Sequence, residues 1–228
     1  MAITAYLAMT AAEVGSVSSF PSKIAWMACH FSPYSTGISN LPEALPEGSM
    51  LILNDITPIH GHDPEQVGHQ LKACVEANGC MGLLLDFQRQ NQPELDALAK
   101  YLSQTLPCPV AYSGDHSGPV FVPPIPCHIP AAQYTAQWKN REIWLEAELT
   151  AEQLRLTEQG CDVIPITPEN IPDRWQKEES LHCHYHIELS DREARFTLWR
   201  TKEDLVELLE EVENLGIHTA VGLWQELK

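Results

Sequence analysis

Runs of apolar residues alternate along the chain with segments of helical periodicity. Eight runs have the length and composition of β-strands, and most are apolar at consecutive positions, as expected of parallel strands buried on both faces. They are ITAYLAM (3–9), KIAWMACHF (23–31), SMLILND (49–55), MGLLLDF (81–87), CPVAYSG (108–114), EIWLEAEL (142–149), CDVIPIT (161–167) and HTAVGLW (218–224).

Helix signals separate several of these runs. Capping residues, first-turn prolines and terminal glycines mark the ends of three amphipathic helices: Asp63-Pro64 to Asn78-Gly79, a second opening at Pro93 and carrying leucines to Leu106, and a third from Thr201 to Gly216. The spacing of Thr150 and Gln153 predicts a short fourth helix, which ends at Gly160.

The alternation of strand and helix predicts an α/β protein, and eight strands favour a (β/α)₈ TIM barrel over an open sheet. A length of 228 residues with 44% hydrophobic residues fits one domain over residues 1–228. Residues 182–199 predict a small β-hairpin inserted before the last helix. The proline-rich segment 117–140 is either a loop or a strand that displaces one of the eight.

Composition and charge narrow the class of function. There are 31 acidic and 14 basic residues, giving a net charge of −17, which disfavours nucleic-acid and membrane-surface partners. Seven cysteines without a C-x-x-C pair suit reduced, mostly buried thiols. The absence of a signal-like N-terminus and of a long apolar run predicts a cytoplasmic protein. No nucleotide-binding glycine motif is present, so no cofactor is expected.

Two polar residues follow the apolar strand 81–87. By the period of two, Gly82, Leu84, Asp86 and Gln88 share one face of this strand. If that face lines the barrel, Asp86 and Gln88 lie at its C-terminal mouth, where barrel enzymes place their chemistry. The sequence therefore predicts a pocket at this end.

The segment MGLLLDFQ resembles the D-G-x-D-x-D-x-E motif at the end of the fourth strand in glycoside hydrolase family 18, the chitinase-like barrels, with Gly82 and Asp86 matching. Residues 195–227 resemble the closing segment of the spore-germination-type members, in which a final strand ends in a pocket-floor Trp. By that resemblance, Trp224 is the Trp.

The motif departs from the family at three of its four acidic positions, which are here Met81, Leu84 and Gln88. The resemblance implies a general-acid Glu at position 88, which protonates the glycosidic oxygen while the substrate's acetamido group attacks. A carboxamide has no such proton. The expected protein is therefore a catalytically impaired member that binds an N-acetylated glycan, a small carbohydrate, through ligand-binding residues Asp86, Gln88, Tyr112, Trp144 and Trp224.

An active hydrolase is the alternative. Trp144, Glu146 and Glu148 alternate with apolar residues on the strand 142–149, so Glu146 or Glu148 is a candidate for a relocated catalytic carboxylate opposite Asp86. The simpler interpretation of these two carboxylates is the solvated face of an amphipathic strand.

Histidine clusters raise a second alternative, a metal-dependent hydrolase. His182, His184 and His186 share a face by period two, and His60 and His62 form another cluster. A solvated polar face explains the triplet better, and no metal is predicted.

Two adjacent pairs are weaker candidates. Asp115 and His116 follow the fifth strand and form a lesser candidate pocket pair. Cys127 and His128 are neighbours in sequence, which does not by itself orient an imidazole toward a thiol.

Overall fold

Eight parallel strands close into a barrel, because the first strand pairs with both the second and the last. The computed structural model describes residues 3–17, 21, 23–89, 92–138, 140–167, 171 and 174–227. The barrel strands are β1 (Thr4–Met9), β2 (Ile24–Phe31), β4 (Met50–Asn54), β5 (Gly82–Asp86), β6 (Val110–Tyr112), β7 (Val120–Val122), β8 (Ile143–Glu146) and β14 (Thr219–Leu223); the short β3 (Ile38–Ser39) adds antiparallel to β2. The predicted TIM barrel is confirmed.

Three of the four predicted helices are present and lie between barrel strands. The helices are α1 (Ala11–Ser16), α2 (Pro64–Asn78), α3 (Pro93–Thr105), α4 (Ala131–Thr135), α5 (Lys202–Asn214) and α6 (Trp224–Leu227). Asp63 caps α2 by accepting a hydrogen bond from the backbone N–H of Glu65, and Gly79 ends it with a left-handed φ of 59°. Thr201 and Asp204 form a reciprocal capping box on α5. None of the described helices is long and apolar enough to span a membrane.

Alternating side chains of the barrel strands enter two different environments. One set fills the barrel interior: Tyr6, Ala8, Ala25, Met50, Ile52, Leu84, Ala111, Trp144 and Val221. The opposite set packs against the surrounding helices, as Leu83 and Leu85 do against α2 and α3. The predicted face assignment of strand 81–87 is thus confirmed for its buried residues, and Asp86 is on the interior side.

One of the eight predicted runs forms a strand, but its assignment to the barrel was wrong. The run CDVIPIT (161–167) lies outside the barrel, and the strand that replaces it is β7, within the proline-rich segment. Prolines on both sides of Val120–Val122 obscured this three-residue strand, although displacement of one predicted strand was the stated alternative.

The insertion after β8 is larger than the predicted hairpin. It is a five-stranded antiparallel sheet in the order β10-β9-β13-β12-β11, formed by β9 (Ala151–Thr157), β10 (Gly160–Pro165), β11 (Gln176–Glu178), β12 (Cys183–Leu189) and β13 (Glu193–Trp199). The hairpin of β12 and β13 is confirmed, whereas the helix predicted from Thr150 to Gly160 is wrong. Strand pairing on both sides of β9 overrides the capping signal, and the Thr150 hydroxyl instead accepts a hydrogen bond from Arg200.

Arg200 connects the insertion to the barrel. Its side chain is buried, and the guanidinium donates to backbone carbonyls on both sides of the junction. The acceptors are Ile125, Pro126, Leu181 and His182, in addition to the hydroxyl of Thr150. Because a buried guanidinium must satisfy several donors, this arrangement ties the insertion to one position beside the barrel.

Candidate functional site

A pocket of about 230 Å³ opens at the C-terminal mouth of the barrel. The last residues of four strands contribute to its wall, namely Asn54, Asp86, Glu146 and Leu223. The remaining lining residues are Ala8, Met27, Ile52, Leu84, Gln88, Phe121, Ala147, Glu148, Val221, Gly222 and Glu226. Its floor is therefore apolar and its rim strongly acidic.

Asp86 and Gln88 are adjacent at this pocket, as the sequence predicted. The Gln88 Nε2 donates a short hydrogen bond to Asp86 Oδ1, so the carboxamide is directed to the carboxylate. Burial raises the pKa of Asp86; the Gln88 hydrogen bond opposes that effect, and the nearby Asp55 adds to it. The pair offers a ligand the hydrogen-bond acceptors of the Asp86 carboxylate and the donor and acceptor groups of the Gln88 carboxamide.

Asp55 supports this pair from behind and was missed in the sequence. It follows β4, is 3% exposed, and accepts hydrogen bonds of 2.9 Å from the backbone N–H groups of both Gln88 and Arg89. The Arg89 guanidinium closes the arrangement by donating to the Asp55 carbonyl and to the carbonyl of Ile56. The backbone that follows β5 is thereby held to the end of β4.

Glu146 and Glu148 contribute to the same pocket from β8 and the residues that follow it. The predicted alternation is present, since Trp144 faces the interior while Ile143 and Leu145 pack outward. Burial raises the pKa of Glu146 to about 7, with further contributions from the charges of Glu148, Asp86 and Glu226. The pKa of Glu148 is also raised, by burial and then by Glu226.

Three further pocket residues were not predicted. Asn54 follows Met50 and Ile52 on the interior face of β4, so the parity argument used for Asp86 would have found it. Phe121 was missed together with its strand, β7. Glu226 is in α6, beyond the last strand, and its Oε2 accepts a 3.2 Å hydrogen bond from the backbone N–H of Leu149; no sequence pattern places it there.

Three aromatic residues predicted as ligand-binding do not line the pocket. Trp144 is 3% exposed in the barrel interior, where its ring lies against Gly82 and its Nε1 donates to Glu142. Tyr112 faces the helices, and its hydroxyl donates to Asp96 of α3. Trp224 is the half-buried first residue of α6. The alternation of β6 turns Tyr112 outward, Trp224 lies beyond the end of β14, and Trp144 lies one layer below the mouth.

The three histidines of the insertion make separate contacts with carboxylates. His182 Nε2 lies 2.7 Å from Glu211 Oε2, and His184 Nδ1 lies 2.7 Å from Asp204 Oδ2, both carboxylates being on α5. His186 is 4.0 Å from Glu188. Across the described ranges, no group of three or more His, Cys, Asp or Glu residues is arranged to hold a metal ion. The imidazoles of His182 and His184 help to dock the insertion onto α5, whereas His186 contacts a residue of its own strand.

The second histidine cluster and the lesser candidate pair also lie apart from the pocket. His62 Nε2 lies 3.1 Å from the carbonyl oxygen of Ser32, and its ring packs against Phe31. The ring of His116 is buried between two backbone carbonyls, while Asp115 is exposed and pairs with Lys100. These contacts give His62, His116 and Asp115 structural roles away from the pocket.

Cys127 and His128 do not form a reactive pair. The Cys127 thiol is directed at Thr150, whereas the His128 ring is 2.6 Å from a carboxylate oxygen of Glu152.

Comparison with solved structures finds proteins of the same fold, although comparisons of the sequence find no match. No family model and no curated protein matches the sequence. Among solved structures, the chain is similar over 100% of its length to 72% of the Bacillus cereus spore cortex-lytic enzyme SleL, with a TM-score of 0.56 and 9% identity. It is equally similar to the class V chitinase from Nicotiana tobaccum (TM-score 0.56, 7% identity, 100% of this chain and 95% of that one). The chitinase from Chromobacterium violaceum has a TM-score of 0.54 at 8% identity, over 99% of this chain and 98% of that one.

At these identities the likeness establishes the fold alone. The chain is a TIM barrel with the fold of these two chitinases and of the spore cortex-lytic enzyme SleL.

Proposed function

We propose that the chain binds glycans built from N-acetylated amino sugars at the barrel mouth, and that it lacks the family's ordinary hydrolytic step. The observation that carries this proposal is the pairing of Asp86 with Gln88 at the edge of the mouth pocket. The carboxylate and carboxamide match the hydroxyl and acetamido groups of such sugars, and Phe121 and Met27 supply apolar contact. At the position of the family's general acid, Gln88 has no proton to transfer.

The solved structures that share the fold support this class of ligand. Their names describe chitinases and a spore cortex-lytic enzyme, and chitin is a polymer of N-acetylglucosamine. The pocket occupies the C-terminal end of the barrel, where TIM-barrel proteins bind their ligands. A neutral glycan is also compatible with a chain whose net charge is −17.

Calorimetric titration with N-acetylglucosamine oligomers and peptidoglycan-derived fragments tests the proposal. Asp86→Ala and Phe121→Ala should each weaken binding about tenfold or more, since each removes a pocket contact. Asp115→Ala is the matched control, because this carboxylate is 91% exposed and remote from the pocket lining. Absence of binding by the wild-type protein across the whole series would reject a glycan site.

One observation favours a second candidate function, hydrolysis through Glu146. A general acid works best when its pKa is near the operating pH, and the pKa of Glu146 is raised to about 7 at the same pocket as Asp86. In this candidate, Glu146 donates its proton to the glycosidic oxygen, and Asp86 steadies the developing charge.

Release of a chromogenic leaving group from an N-acetylglucosaminide measures this activity. If Glu146 is the acid, Glu146→Gln lowers the rate by about 10² to 10⁴, and the wild-type rate declines as pH rises above about 7. Glu210→Gln is the control, since Glu210 is exposed on α5. An unchanged rate in Glu146→Gln would exclude this candidate.

A further inference from the structure

The ionisable side chains that line the mouth pocket are all acidic. Four carboxylates line it, from β5 (Asp86), β8 and its extension (Glu146, Glu148) and α6 (Glu226). No Lys, Arg or His is among the described residues that form its wall. The side chains therefore concentrate negative charge around a cavity of about 230 Å³.

Two of these carboxylates are committed to neighbours. Asp86 accepts from the Gln88 amide, and Glu226 accepts from the Leu149 backbone. Within the part of the chain that the structure describes, the side-chain carboxylates of Glu146 and Glu148 have neither a hydrogen bond nor an ion pair. A ligand that contacts these two carboxylates must therefore replace their hydration.

A neutral sugar replaces that hydration poorly, whereas a cation replaces it well. Displacing water from an ionised carboxylate is unfavourable unless an opposite charge or a donor compensates. An ammonium group offers three donors and a positive charge, and it also relieves the mutual repulsion of the four carboxylates. A hydroxyl or an acetamido N–H supplies a donor without the charge.

We propose that the pocket selects an amino sugar whose amine is free, so that the unit seated at the mouth is a de-N-acetylated hexosamine within an otherwise acetylated glycan. This inference rests on the proposed glycan-binding function and specifies the charge of the bound unit. Glu148 and Glu226 determine this selectivity together with Glu146, while Gln88 and Phe121 contact parts of the ligand that are common to both forms.

The titration of Glu146 supplies a second readout. Its pKa of about 7 reflects burial and the neighbouring carboxylates, so part of the population is protonated at neutral pH. A bound ammonium group favours the ionised form and releases protons, whereas a neutral sugar leaves the proton in place. Calorimetry at about pH 5.5, where the ligand amines are already protonated and contribute no proton uptake, measures that release in two buffers of different ionisation enthalpy.

The experiment compares a glucosamine tetramer with an N-acetylglucosamine tetramer at about 0.15 M salt, where screening limits nonspecific attraction to an acidic protein. We expect the glucosamine tetramer to bind about tenfold tighter or more and with proton release. Glu148→Gln and Glu226→Gln should each reduce this advantage several-fold, while Glu210→Gln on α5 leaves it unchanged. Thermal unfolding of each variant verifies that it is folded.

The outcomes separate the two proposals. Equal or tighter binding of the acetylated tetramer overturns the selectivity for a free amine but leaves glycan binding in place. An advantage that persists in both pocket variants, or falls equally in Glu210→Gln, assigns the preference to the overall charge of −17 and also overturns it. If neither tetramer binds, the glycan-binding function itself is rejected.

Discussion

The carboxylate of Asp55 accepts a 2.9 Å hydrogen bond from the backbone N–H of Gln88, across the ends of two neighbouring barrel strands. A second bond of 2.9 Å comes from Arg89. The side chain of Gln88 contacts Asp86, so its orientation depends on a backbone that Asp55 holds. Asp55 does not line the pocket, yet it positions Asp86 and Gln88, which do.

We expect Asp55→Ala to destabilise the protein by about 2 to 4 kcal/mol, since it leaves two N–H groups without their charged acceptor. Asp55→Asn keeps one oxygen acceptor and should destabilise the protein less than Asp55→Ala does. Urea denaturation measures both, with the exposed Asp115→Asn as control, for which a change within about 0.5 kcal/mol is expected. A loss for Asp55→Ala no larger than for the control would remove the bracing role.

Gln88→Glu tests whether the pocket retains the geometry of a glycosidase. The new carboxyl would contact Asp86, and two carboxyl groups in contact share a proton because both cannot ionise together easily. We expect hydrolysis of N-acetylglucosamine oligomers to rise by about 10² to 10⁴ over wild type. Gln88→Asn is the control, since it changes the side chain without adding a titratable group. Inactivity of Gln88→Glu would mean that the glycosidic bond is not held near position 88.

The raised pKa of Glu146 predicts a pH-dependent stability. The folded protein holds this proton up to about pH 7, whereas the unfolded chain releases it near 4.5, so the free energy of unfolding falls as pH rises between those values. Glu146→Gln lacks this dependence. The free energy of unfolding of Glu146→Gln, measured relative to wild type, should therefore be about 1 to 2 kcal/mol higher at pH 8 than at pH 4. This value allows for the partial solvation of Glu146.

Denaturation with urea across this pH range measures the difference. The exposed Glu210→Gln should follow the wild-type profile. Parallel profiles for Glu146→Gln and wild type would show that Glu146 titrates in the normal range.

Gly82 makes room for Trp144 inside the barrel. A methyl group built at Gly82 falls within contact distance of the Trp144 indole, and the surrounding core is tightly filled. We expect Gly82→Ala to cost about 1 to 3 kcal/mol in unfolding free energy through overpacking. Gly15→Ala is the matched control, because a methyl group there meets nothing within 4 Å. A stability loss of the same size in both variants would contradict the packing argument.

Much of this architecture was predictable from local patterns. Seven of the eight strands predicted for the barrel are in it, and the helices beginning at Pro64 and Pro93 and the one capped by Thr201 lie where their signals indicated. These elements combine continuous apolar runs or stripes with explicit caps, so local propensity and burial agree. The same period-two argument correctly placed Asp86, Glu146 and Glu148 at the pocket.

The predicted secondary structure was wrong where pairing with neighbouring strands determines the conformation. The spacing of Thr150 and Gln153 predicted a helix, yet residues 151–157 form a strand because β10 and β13 pair with its two edges. The β7 strand has only three residues between prolines, and it is recognisable only once β6 and β8 are beside it. Such elements depend on contacts between residues distant in sequence, which no local pattern encodes.

The sequence alone therefore determined the barrel class, most of its strands and the face on which Asp86, Glu146 and Glu148 lie, because hydrophobic periodicity is a local property of the chain. Only the tertiary structure decided which of these ends meet. It placed Glu226 beside Glu146 and Glu148, put Asp55 behind Gln88, and turned Tyr112 and Trp224 away from the pocket. Each of those relationships depends on barrel closure, which joins strands far apart in the chain and sets the distances on which charge and hydrogen bonding act.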